Sequence, residues 1–171
     1  MMKVDMIEQL MDKVDKDSEY IQQIVDQLVE SCCSTLDEYV KYISGLLANS
    51  SAEVTNDQLD DIILTIPTLM YFVGTQQEKY GIKRDVSKAS KMIIYNKVFK
   101  ETAGIQADKK SAAEKATFDE DMVATIYSSA YDTIKSKLAY ATELLQSAKK
   151  VVSRRMTEIE LTRFTPNRER D

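Results

Sequence analysis

The chain has 171 residues, 43% hydrophobic and 30% charged, with four Gly and two Pro, enough apolar matter for one core but so few turn formers that few, long helices are expected. It has no His, which removes Ser-His and Cys-His nucleophile pairs, HExxH zinc sites and the commonest general base. The net charge of -5 conceals a division: residues 1–66 hold four Lys against fourteen acids, whereas residues 67–171 hold nineteen basic residues against fourteen acids. Phosphate attraction is local, screened within about 10 Å at ordinary salt, so an overall acidic chain can still hold a polyanion on one basic region.

The first twenty residues carry six acids and no apolar run like that of a secretion signal, so a cytoplasmic location is expected. Val4, Ile7, Leu10, Met11 and Val14 recur at helical spacing. Ile21, Ile24, Val25, Leu28, Val29, Cys32, Leu36, Tyr39, Val40, Ile43, Leu46 and Leu47 then form one wide stripe over Ser18–Ala48, either separate from the shorter helix before it or continuous with it. Cys32 and Cys33 are neighbours on this helix, too divergent to bridge each other, and no further Cys exists to complete a metal site. Buried small apolar roles suit both.

Thr55, Asn56, Asp57 and Gln58 fit a capping box, so a second helix starts there, carrying Leu59, Ile62, Ile63, Ile66, Leu69, Met70 and Val73. Its apolar run Ile62–Val73 is interrupted by Thr65, Pro67 and Thr68 and falls short of the roughly 20 residues of a membrane span, so it reads as a buried helix bent by Pro67. This helix is expected to end near Gly81. A third would run from about Lys83 to Thr102 and stop at Gly104. From Met122 to Ile159 the apolar positions keep helical phase, giving a long C-terminal helix, with a break at a second capping pattern, Thr117 and Glu120, as the alternative to one continuous helix after Gly104. The expected fold is all-α, an elongated bundle of four to five helices, with an acidic segment 1–54, a core 55–164 and a tail 165–171. The long apolar stripe of the last helix predicts self-association.

No compact catalytic constellation emerges. Gly45, Gly74, Gly81 and Gly104 stand alone, so there is no glycine-rich phosphate loop. The acidic groups Asp60 with Asp61, and Asp119, Glu120 and Asp121, suit solvated or dipole-complementing roles, and no enzyme activity, metal or cofactor is expected. The informative stretch is Lys79–Lys115, with ten basic residues and four acids interleaved with Tyr80, Tyr95 and Phe99. Arg84, Lys88, Lys91 and Tyr95 follow at steps of four, three and four along one face, Phe99 extends it, and Val86, Ala89 and Ile93 share the opposite side. Cations for a backbone and rings for unstacked bases suit single-stranded nucleic acid, and Lys83, Lys97 and Lys100 belong to the same segment. A solvated amphipathic face with Tyr95 and Phe99 packed inside is the plain alternative. Lys150 and Arg154, one turn apart near the end of the last helix, form a weaker second group beside Lys149 and Arg155.

The helix "IPTLMYF" (Ile66–Phe72), the basic "KRDVSKASKMIIYNKVFK" (Lys83–Lys100) and the later "AYDTIKSKLAYATELLQSAKKVVSRR" (Ala130–Arg155) resemble, in order and character, the UvsY-like recombination mediators of tailed phages. The resemblance spans about two thirds of the chain and leaves the acidic Ser18–Ala48 helix without a counterpart. It implies an all-helical, non-enzymatic protein that binds single-stranded DNA and loads a RecA-type recombinase against the single-strand-binding protein. Residue by residue it puts DNA contact on Lys88, Lys91 and Tyr95, and self-assembly on Leu138, Leu145, Val152 and Met156, with Ile134 in the same stripe. The competing reading is a structural helical assembly protein, a virion scaffold or chaperone, that uses these stripes only for protein contacts.

Overall fold

The computed structural model describes residues 2–49 and 54–164, and among them the chain is helical with short connections and no strand. Four helices follow in order: α1 (Met2–Asn49), α2 (Asn56–Glu101), α3 (Gln106–Ala116) and α4 (Phe118–Phe164). The tail expected at 165–171 lies outside the described residues. No helix among the described residues is long and apolar enough to cross a membrane.

The helix ends follow their local chemistry. Thr55 and Gln58 cap α2 reciprocally: the Thr55 amide donates to Gln58 Oε1 at 2.8 Å and the Gln58 amide to Thr55 Oγ1 at 3.2 Å. After Glu101 the chain turns at Gly104, whose φ of +117° is a conformation that L side chains rarely adopt. Pro67 is tolerated inside α2 at an exposed position, although it withholds the amide that would meet the carbonyl of Ile63.

One expectation is corrected. Gly81 does not end a helix; α2 runs through it for 46 residues. Gly81 is buried, and a Cβ there would stand 3.3 Å from the Tyr131 ring, so the glycine is a packing choice that lets α4 approach. After Gly104 the chain takes the alternative with a break at Thr117: α3 stops at Ala116 and α4 begins at Phe118. Thr117 makes this break without acting as a forward cap. Its buried hydroxyl donates back to the Ala113 carbonyl at 3.0 Å, its amide reaches the Glu114 carbonyl, and Glu120 Oε2 is left buried without a hydrogen-bond partner.

The chain forms two compact units. One comprises residues 1–32 and 75–135, the other residues 33–74 and 136–171. The second buries Cys33, Leu36, Ile43, Leu59, Ile62, Ile66 and Val73 against Ala141, Leu145 and Ala148, where the small side chains admit the large ones. Tyr39 Oη donates to Asp61 Oδ2 at 2.6 Å and Lys137 pairs with Asp37 at 2.7 Å at its margin. Of the run Ile62–Val73, only Ile62, Ile66 and Val73 are buried; Leu64, Tyr71 and Phe72 face outward. The first unit buries Val25, Val29, Tyr80, Ala113, Ala124, Ile126, Ala130 and Ile134. Cys32 is half-buried and its thiol donates to the Val29 carbonyl at 3.3 Å.

Candidate nucleic-acid interface

The segment of α2 from Lys79 to Lys100 holds seven basic residues and one acid, Asp85. Its two faces are those expected from spacing, but their orientation is inverted. Ile82, Val86 and Ile93, with Ala89 between them, point to solvent, while Arg84, Lys91 and Tyr95 turn toward α4. The reason lies in α4, which presents Tyr127 and Tyr131 to this side of α2. The Arg84 guanidinium sits 5.1 Å from the Tyr131 ring centre, and Lys83 Nζ lies 5.2 Å from Tyr127 and 5.7 Å from Tyr80. Long cationic side chains lay their stems and charges over aromatic faces at low cost. Tyr80 itself is buried, in tilted contact with Tyr127, and donates its hydroxyl to the Leu28 carbonyl at 3.2 Å.

The basic residues therefore divide into engaged and unengaged groups. Arg84 pairs with Asp85 at 2.8 Å, a hydrogen bond that raises the arginine pKa and lowers that of the aspartate. Lys91 meets Asp121 of the first turn of α4 at 2.6 Å. Lys79, Lys88, Lys97 and Lys100 are exposed and, among the described residues, form no ion pair. Tyr95 and Phe99 are half-buried and stacked on each other, with centroids 6.0 Å apart and 14° between planes. Lys88, Met92, Tyr95 and Phe99 share one lateral strip of α2 about 60° wide, so an unengaged cation, an exposed thioether and two stacked rings run in line.

The remaining expected residues, Ile134 excepted, lie in the other unit. Lys150 is exposed, and Arg154 is exposed and paired with Glu158 at 3.1 Å. In the expected assembly stripe, Ile134 is fully buried in the first unit and Leu145 is nearly so in the second, so both are spent on the chain's own cores. Leu138 and Val152 are half-buried, and Met156 is exposed. Arg155, which spacing alone put at the edge of the apolar stripe, reaches back to the start of α2, donating to Asn56 Oδ1 at 2.8 Å and to the Val54 carbonyl at 2.5 Å. Nothing local in the sequence signals that contact.

Two cavities accompany these surfaces. One of about 210 Å³ is lined by Asn56, Asp60, Val152, Arg155, Met156 and Ile159, and one of about 190 Å³ by Ile21, Phe118, Asp121, Met122 and Thr125. Both fall below the roughly 300 Å³ at which small-molecule sites begin. No cluster of acids and cysteines among the described residues could hold a metal ion. Compared with protein-family models, curated proteins and solved structures, the chain finds no match in any of the three.

Proposed function

We propose that this chain is a non-enzymatic accessory protein that binds single-stranded DNA along the second half of α2 and assists a RecA-type recombinase in displacing the single-strand-binding protein. The observation that supports the binding step is the set of four exposed lysines, Lys79, Lys88, Lys97 and Lys100, none of them in an ion pair among the described residues, on a segment with a single acid. Unpaired cations release counterions from a phosphate backbone without first breaking a contact of their own. The strip of Lys88, Met92, Tyr95 and Phe99 adds apolar and aromatic surface on which a splayed base can stack, worth about 1–3 kcal/mol per base. Arg84 and Lys91, held by Asp85 and Asp121, take a positioning role in this reading. The recombinase and the single-strand-binding protein enter through the likeness to UvsY-like mediators.

A titration of fluorescent single-stranded and duplex DNA at low and high salt tests the proposal. Binding that favours the single strand and weakens with salt supports it; equal affinity for both forms, or no salt dependence, refutes it. The second reading, a helical assembly protein without nucleic-acid binding, is favoured by the exposed apolar face of Ile82, Val86 and Ile93 on the same helix. It predicts no binding to either DNA.

A further inference from the structure

We infer that the N-terminal part of α1 in one copy of this chain docks on the Ile82–Val86–Ile93 strip of α2 in a second copy. Ile82, Val86 and Ile93 are 64%, 60% and 69% exposed and, with exposed Ala89, recur at steps of four, three and four on a strip about 60° wide. A line of large apolar side chains at that spacing is the face with which one helix packs on another. In α1, Met11 and Val14 are 61% and 64% exposed, yet they stand in helical phase with Val25 and Val29, which are buried. The face that α1 buries further along is thus uncovered at Met11 and Val14. In sequence, Val4, Ile7, Met11 and Val14 follow at steps of three, four and three, the same kind of spacing as the α2 strip.

Charge selects the occupant. Residues 1–30 contain eight acids and three lysines, and Asp15, Asp17 and Glu19 are exposed. The α2 strip is bordered within about 60° by Lys79, Lys97 and Lys100, all exposed and none in an ion pair among the described residues. An acidic amphipathic helix complements that border, and this chain carries one. Both faces belong to the same compact unit and both remain uncovered there, so neither serves the other within one copy. A second copy supplies what each lacks. The contact is heterologous, two different surfaces meeting, and so leaves one free face at each end for a further copy.

This inference does not require the nucleic-acid reading, and its test contains no nucleic acid. Two full-length variants are compared with the parent by sedimentation equilibrium: Val86→Glu with Ile93→Glu, which breaks the strip, and Met11→Glu with Val14→Glu, which breaks the segment. All four positions are exposed, so helicity by circular dichroism should be retained; should either pair unfold, the corresponding Ala pair replaces it. The parent should associate at micromolar concentration, and each variant alone should associate at least roughly tenfold more weakly. Mixed together, the two variants should form a one-to-one dimer, because each retains the half the other has lost. A monomeric parent, unchanged association of the variants, or a mixture that stays monomeric would each overturn the inference, the last by showing a self-complementary contact or a different partner.

Discussion

The two compact units bury different kinds of side chain. The unit of residues 33–74 and 136–171 fills its core with branched aliphatics, Leu36, Ile43, Leu59, Ile62 and Ile66, set against alanines. The unit of residues 1–32 and 75–135 buries Val25, Val29, Ile126 and Ile134 and adds aromatic packing, with Gly81 under the Tyr131 ring, Tyr80 beside Tyr127, and cationic side chains laid across the aromatic faces. The aliphatic unit also leaves large apolar groups outside its core, Leu64, Tyr71 and Phe72 among them. The aromatic one turns Ile82, Val86 and Ile93 outward and holds Arg84 and Lys91 at the packing surface. The unit with aromatic packing thus carries an exposed apolar strip and engaged cations on one helix.

Substitutions that act differently in the two units test this contrast. Ile62→Ala, at a fully buried position of the aliphatic core, should lower stability by about 2–5 kcal/mol in urea unfolding, whereas Ile93→Ala on the exposed strip should stay within about 0.5 kcal/mol. Equal losses at the two positions would mean that Ile93 is covered within the monomer.

The two glycines inside α2 should diverge next. Gly74 has nothing within 4 Å of an added Cβ, so Gly74→Ala should raise stability by up to about 1 kcal/mol through helix propensity. Gly81→Leu should instead cost about 1–3 kcal/mol, because its side chain meets the Tyr131 ring. Thermal unfolding of both variants checks the pair, and a stabilised Gly81→Leu would contradict the packing of α2 on α4.

Charge contacts rank lower. Lys91 and Asp121 are both partly exposed at 37% and 58% of their side chains, so a double-mutant cycle to Ala should return a coupling of at most about 1 kcal/mol that shrinks with salt. In the aliphatic unit the phenol of Tyr39 is pushed up to about 12, first by burial and then by its hydrogen bond to Asp61. The folded chain thus holds this proton more tightly than an unfolded one with the ordinary value of 10.0, so the contribution of Tyr39 is complete below that pH and lost as pH rises through about 12. Spectrophotometric titration should show a phenol ionising near pH 12 that Tyr39→Phe removes.

The all-helical class and several helix ends are legible in the sequence because they depend on neighbours. Thr55 and Gln58 stand three residues apart, and Gly104 supplies a backbone angle by itself. Gly81 is different, since its role depends on Tyr131, fifty residues later, whereas Thr117, named as a break, turns its hydroxyl back to Ala113 only four residues away. The basic segment shows the same limit. Periodicity groups Arg84, Lys91 and Tyr95 on one side of a helix and Val86 and Ile93 on the other, but which side faces inward is decided by the tyrosines of α4. A pattern that treats cations as solvated and isoleucines as buried misplaces Arg84, Ile82 and Ile93.

The most direct measurement is the salt dependence of single-stranded DNA binding by the full chain and by a Lys88→Ala, Lys97→Ala, Lys100→Ala variant. All three lysines are exposed and outside any ion pair among the described residues, so the variant should keep its circular dichroism spectrum. Binding along α2 predicts a weaker complex whose logarithmic salt slope is smaller by about two units, since each lost single-strand phosphate contact removes about 0.7. A folded variant with the affinity and slope of the parent would contradict DNA binding by this helix.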